Sequence, residues 1–167
     1  MFDRILVPLD GTTESAIALP VACALAQAYH SQLVLFRIVD TTAKRYDAKN
    51  DLERIAGEYA SSAFPVSSEV WIASDVAAQI AWAVAEGLGD LVVMASRRCG
   101  GAGSVADSVV ARSRVPVLVV PIAESPADRI ETRALALTTA VEGAAWVRGI
   151  HAPGALSAGP VRLVSDV

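Results

Sequence analysis

Short apolar runs closed by an acid or a glycine alternate with longer segments in which apolar residues recur at helical spacing. Residues 4–10 open the series: Ile5, Leu6, Val7, Pro8 and Leu9 lead to Asp10 and Gly11, the pattern of a buried strand stopped by a turn. Residues 14–29 follow as an Ala-rich helix with Thr12 or Thr13 as N-cap. Pro20 inside it removes one amide donor and is expected to bend the axis. Residues 33–40 repeat the strand pattern and end at Asp40. Between 44 and 62, Leu52, Ile55, Ala56, Tyr59 and Ala60 share one helical stripe, which Ala63 extends. Residues 66–72 then alternate, Val66, Ser68 and Val70 against Glu69 and Trp71, as an edge strand does. Ser74 or Asp75 caps a helix through Ile80, Trp82, Ala83 and Val84 to Gly87. Residues 90–95 form a fourth strand. A Gly-rich loop over 96–103 leads into a helix over 104–112, and residues 115–121 form a fifth strand.

The resulting order, β-α-β-α-β-α-β-α-β, has helical crossovers that predict an α/β fold: a five-stranded parallel, doubly wound sheet with helices on both faces. In such sheets ligands sit at the carboxyl ends of the strands near the reversal of strand order, which directs attention to Asp10 and Gly11, to residues 38–40 and to the loop after Ala95. Residues 122–167 differ in character and form a C-terminal extension to the domain of residues 1–121. Within it, 130–147 reads as a helix with Leu135, Leu137 and Val141 as its apolar positions. Residues 149–160, with three glycines and two prolines, read as a loop, and 161–164 as a short strand.

Composition narrows the class. With 167 residues, 53% of them hydrophobic and 19% charged, the chain has room for one packed domain and is not a disordered segment. Its mean hydropathy of +0.44 comes in short runs, none of which approaches the ~18 uninterrupted apolar residues of a spanning helix. A net charge of −4 and no basic face exclude nucleic acid as an expected partner. The two cysteines, Cys23 and Cys99, are too few for a disulfide framework, and Asp3 and Arg4 lead straight into a strand with no signal-peptide core. A cytoplasmic protein with no membrane partner is expected.

Three segments together resemble the universal stress protein family: the opening from Arg4 to Thr12, the second strand over 33–40, and residues 90–94 followed by Gly103, Ser104, Val105, Ala106 and the strand over 115–121. The resemblance covers residues 1–121. It implies strand order 3-2-1-4-5, in the manner of the adenine nucleotide alpha hydrolase-like folds, and a homodimer paired through the last strand. Some members of that family bind ATP and others do not. Carried over by position, the resemblance implies nucleoside contacts from Pro8, Leu9, Asp10 and Ile38. It implies a phosphate loop of pattern Gly, two residues, Gly, nine residues, Gly, then Ser or Thr, whose terminal pair is Gly103 and Ser104. The chain departs from that pattern: Ala95 and Arg98 stand at the first two glycine positions, and only the four residues 99–102 separate Arg98 from Gly103, five fewer than the pattern. The full expected contact set is Pro8, Leu9, Asp10, Ile38, Met94, Ala95, Arg97, Arg98, Gly100, Gly101, Gly103, Ser104 and Val105, with ATP or AMP as ligand.

The loop chemistry is consistent with that set and with a plainer role. Gly100, Gly101 and Gly103 let backbone amides approach an anion before a helix N-terminus, and Arg97 and Arg98 add charge-assisted donors; the same glycines also serve simply to cap a helix. The segment 101–106 fits G-x-G-x-x-A but does not follow the first strand, as a dinucleotide fingerprint requires. Asp10 either contacts ligand or caps the following turn, Ile38 contacts ligand or fills core, and Asp40 is a solvated turn residue. Cys99, beside two arginines, is either an activated thiol or an incidental loop cysteine, and Cys23 is packing. His30 and His151 stand apart, no metal-ligand cluster occurs, and neither a nucleophile elbow nor a P-loop is present. No catalytic residue is assigned, and at most a slow ATPase is expected. Two functions stay open: a stress-response protein that senses or stores adenine nucleotide, and a dimeric interaction module that binds none. Val117, Val119 and Val120 give the fifth strand a hydrophobic edge that a second copy or the C-terminal tail is expected to cover.

Overall fold

The computed structural model describes residues 2–60, 63–97 and 104–122, together with the backbone of residues 163–164. The expected helix over 130–147, the loop over 149–160 and most of the Gly-rich loop lie outside the described residues. Along the chain run β1 (Arg4–Pro8), α1 (Ala18–Tyr29), β2 (Gln32–Val39), α2 (Arg45–Tyr59), β3 (Val66–Ile72), α3 (Val76–Ala85), β4 (Leu91–Ser96), α4 (Val105–Arg112), β5 (Val117–Pro121) and β6 (Leu163–Val164). The sheet order is β3-β2-β1-β4-β5-β6. The first five strands are parallel, in the order 3-2-1-4-5, and β6 lies antiparallel against β5, pairing Val164 with Val117 and Leu163 with Leu118. The C-terminal strand expected over 161–164 is thus present at 163–164, and it covers part of the β5 edge.

Two layers of core explain why the strands read as continuous apolar runs. On one face Ile5, Val7, Leu33, Leu35, Leu91 and Val93 meet Leu19, Ala22 and Ala26 of α1 and Leu52 of α2. On the other, Leu6, Val34, Phe36, Val92 and Met94 meet Ile80, Ala83 and Val84 of α3 and Val109 of α4. Consecutive residues of a central strand therefore both need apolar side chains, and each such burial contributes roughly 1.5–3 kcal/mol before the cost of ordering the chain. On this second face Trp71 stands edge-on to Phe36 and also packs on Trp82, each ring pair 5.0 Å apart, while Trp82 keeps its outer side in solvent.

The amino ends of β1 and β4 are tied by Asp90, whose carboxylate accepts from the backbone N–H of Asp3 at 2.7 Å and of Arg4 at 3.2 Å. Just before it, Gly89 passes so close to β1 that a Cβ there would sit 2.8 Å from the Leu6 Cβ. Only glycine fits this crossing.

Two helix boundaries differ from expectation. A 3-10 turn over Ser15–Ile17 precedes α1, which begins at Ala18 rather than at residue 14. Pro20 consequently falls in the first turn of the α-helix, where an amide has no partner to lose, and the expected bend has no cause. Likewise α2 ends at Tyr59. Ala60 is already extended, so Ala60 and Ala63 do not join the buried stripe, which consists of Ala48 and Leu52 with Ile55, Ala56 and Tyr59 packed beside them. Leu52 is fully buried and anchors α2 to the sheet. Its truncation to Ala is expected to lower stability by about 3 kcal/mol. Urea titration should show a lower midpoint with an unchanged slope.

Candidate functional site

Helices α1 and α2 cover one face of the sheet and α3 and α4 the other, so the winding direction reverses between β1 and β4. The loops leaving those two strands part at this point and open a crevice. It encloses about 210 Å³, lined by Asp10, Thr12, Glu14 and Ser15 after β1, by Met94, Ala95, Ser96 and Arg97 at the end of β4, and by Ser104, Val105, Ala106 and Ile122.

The β1 side is a hydrogen-bonded turn. Gly11 takes φ +91°, a conformation that favours glycine. The turn brings the Thr12 N–H to 2.9 Å and the Thr12 hydroxyl to 2.6 Å from Asp10 Oδ1. Thr12 Oγ1 in turn accepts from the Ser15 N–H at 3.1 Å, and the Ser15 hydroxyl donates to the Thr12 carbonyl at 2.9 Å. Asp10 thereby caps its own turn. The carboxylate is exposed at the crevice. Burial pushes its pKa up, and the bonds from the Thr12 hydroxyl and N–H, with Ser15, outweigh that effect, so the group titrates below its ordinary value.

Across the crevice stands the amino end of α4. Ser104 is extended, and its Oγ accepts from the Asp107 N–H at 3.0 Å while donating to Asp107 Oδ2 at 2.6 Å. This reciprocal cap orients the first amides of a helix whose dipole favours negative charge. Arg97 leaves the end of β4 and spans the mouth: its Nε donates to Glu14 Oε2 at 2.9 Å and its Nη2 donates to Glu14 Oε1. A cation expected to be free for an anion is therefore engaged by an acid from the opposite loop.

The structure brings Asp10, Met94, Ala95, Arg97, Ser104 and Val105 together around this crevice. Pro8 ends β1 half-buried. Leu9 is buried on the opposite face, its N–H donating to the Phe36 carbonyl. Ile38 packs beside the core under α3 and α4 and is not part of the crevice wall. Arg98, Cys99, Gly100, Gly101 and Gly103 lie outside the described residues. Sequence reasoning missed Thr12 and Ser15 as crevice residues, although a Thr and a Ser three apart after an acid is a turn signal. It also missed Glu14 and Ile122, which reach the crevice only through the topology. Asp40 pairs at 2.9 Å with Lys44 in solvent, and the half-buried Cys23 thiol is pushed up to about 11 by burial. Among the described residues no His, Cys, Asp and Glu cluster could hold a metal ion, and no helix is long and apolar enough to cross a membrane.

An open parallel α/β sheet of order 3-2-1-4-5 with a crevice at its switch point defines the class of doubly wound α/β folds. Within that class, residues 1–121 match the sequence profile of the Universal stress protein family, and the chain belongs to this family. Among solved structures, a universal stress protein in complex with cAMP is similar with a TM-score of 0.62 and 20% identity, over 73% of this chain and 98% of its own. A member of the universal stress protein family from Burkholderia pseudomallei aligns with a TM-score of 0.59 and 26% identity, over 71% and 96%. A universal stress protein from Archaeoglobus fulgidus gives 0.61 and 17%, over 70% and 91%. A search of curated proteins found no match.

Thr12→Val deletes the shortest bond to Asp10 and is expected to move its titration midpoint up toward that of an exposed aspartate. The carboxyl carbon shift followed by NMR measures it, and an unmoved midpoint would contradict the account. Because the folded-state pKa is depressed, ionised Asp10 stabilises the fold above the unfolded value of about 4. That contribution is lost as pH falls through the folded value. The stability gap between wild type and T12V, read by urea titration, should therefore narrow on acidification below about pH 4.

Proposed function

We propose that this protein binds an adenine nucleotide, ATP or AMP, in the crevice between β1 and β4, and senses or stores it without rapid turnover in the cytoplasm. The observation that carries the reading is the facing of two complementary groups across one crevice. Asp10 offers acceptors suited to ribose or adenine donors, and the amino end of α4, capped by Ser104, offers a positive end for phosphate. Similarity to a universal stress protein in complex with cAMP supports the ligand class. In this reading Met94, Ala95 and Val105 form apolar walls, Pro8, Leu9 and Ile38 support the nucleoside end from β1 and β2, and Arg97, Arg98, Gly100, Gly101 and Gly103 serve the phosphates.

The crevice volume of about 210 Å³ is below the roughly 300–1,000 Å³ of ordinary ligand pockets. Ligand entry in this reading therefore opens the mouth, with a phosphate replacing Glu14 on Arg97. Glu14→Gln weakens the competing pair and is expected to raise ATP affinity by roughly twofold to fivefold, with adenosine affinity unchanged, since exposed charge pairs contribute at most about 1 kcal/mol. Isothermal titration of the full chain with ATP, AMP and adenosine measures all three. Absence of heat at high micromolar protein and millimolar nucleotide overturns the reading.

The Arg97–Glu14 pair equally favours a second reading, in which the mouth is closed for good and the protein is a dimeric interaction module. Its homodimer forms along the outer edge of β5, where β6 pairs with Val117 and Leu118 and leaves Val119, Val120 and Pro121 without a pairing partner on that side among the described residues. Sedimentation at tens of micromolar should then show a dimer that Val119→Pro dissociates, and a monomer throughout would exclude this assembly.

A further inference from the structure

Arg37 is the one charged side chain that is buried among the described residues, 8% exposed on β2. A buried guanidinium needs partners, and these are unequal in kind. Its Nε donates to the carbonyl of Leu9 at 3.1 Å. Its Nη2 lies 2.8 Å from Asp51 Oδ2 of α2, outside hydrogen-bond geometry, as an ion pair. The rest of the guanidinium lies under the turn after β1: a Cβ built on Gly11 would stand 3.4 Å from Nη1 and 3.5 Å from Cζ. Leu9 and Gly11 flank Asp10, so one planar group holds the residue before the crevice aspartate and backs the residue after it. It does so from the face opposite the crevice, because Arg37 points to the α1 and α2 side while Phe36 packs on the other.

We propose that Arg37 is the positioning residue for the Asp10–Thr12 turn: held by Asp51, it clamps the Leu9 carbonyl and supports Gly11, fixing the direction in which Asp10 faces the crevice. The ligand-binding consequence rests on the reading of the crevice given above; the order of the turn does not. The chemistry demands arginine, since a planar fork reaches a carbonyl and a carboxylate at once, whereas an ammonium is a single point of charge. The alternative role, an anion receptor on the back face, fits poorly. The cavity there, about 190 Å³, is lined by Arg37, Asp51, Arg54 and Glu58, whose charges cancel. Arg54 is itself bound to Asp51 and Glu58.

Hydrogen exchange on the full-length protein, compared for wild type, Arg37→Lys, Arg37→Met and Asp51→Asn, tests the proposal together with ATP titration. R37K and R37M are expected to speed exchange at the amides of residues 11–15 by roughly tenfold or more while β4 amides stay within about twofold of wild type. D51N is expected to give a smaller change of the same pattern. It also provides the reading should R37M fail to fold, because Asp51 lies at the surface end of the pair. ATP affinity should fall by roughly tenfold in R37M and R37K, the retained charge giving no rescue. Unchanged exchange at residues 11–15 in R37K and D51N overturns the proposal, and so does acceleration spread evenly over β4, which marks a general stability role. If wild type takes up no nucleotide, the reading of the crevice fails, and the exchange contrast still decides for or against the positioning role.

Discussion

A parallel sheet buried on both faces leaves its polar chemistry only the strand ends. Ile5, Leu6 and Val7 of β1 are wholly inaccessible, as are Val92 and Val93 of β4, so no ligand can reach the middle of the sheet. At the carboxyl ends the backbone must turn away from neighbours that continue in opposite directions. The gap this creates between β1 and β4 is a product of the winding, and it is lined by those residues beyond the strands whose side chains turn inward, while Leu9 turns to the opposite face. Asp10 and Arg97 meet the crevice for that reason, though 87 positions separate them in the chain.

What the crevice does with charge follows from the same geometry. The turn after β1 satisfies Asp10 locally through Thr12, and α4 satisfies Ser104 locally through Asp107, so each of these groups finds its partners within its own element. Between them the Arg97–Glu14 pair is mainly exposed, the Arg97 side chain at 69%. Solvent screens such a pair, and it yields readily to a competitor with more charge. The crevice therefore has walls bonded within themselves and a mouth crossed by one solvent-screened pair.

The elements were largely legible because buried parallel strands and amphipathic helices write themselves as local patterns: β3 matches its expected bounds, and Asp75 and Ser104 cap α3 and α4 as their residue types foretell. The start of α1 was not, because bonds between Thr12 and Ser15 lead into a 3-10 turn over Ser15–Ile17 that the Ala-rich periodicity runs straight through. Asp10 was legible as a strand-end acid with two possible roles, and its capping bonds are seen directly. Nothing local marks Arg37 inside its strand; its meaning depends on Asp51 and Leu9, neither of them near in sequence. Glu14 escaped for the same reason, since no local rule joins it to a residue on another strand.

The binding of Asp3 and Arg4 by Asp90 has a practical side. Five parallel strands share one polarity, so this tie sits at the amino edge of the sheet, about 16 Å of strand away from the crevice at the carboxyl edge. A fluorophore or surface linker attached ahead of Asp3 therefore leaves the crevice mouth unobstructed. The same label placed on Arg97 lies across the mouth, and the domain thus has one edge suited to being held and the other to being probed.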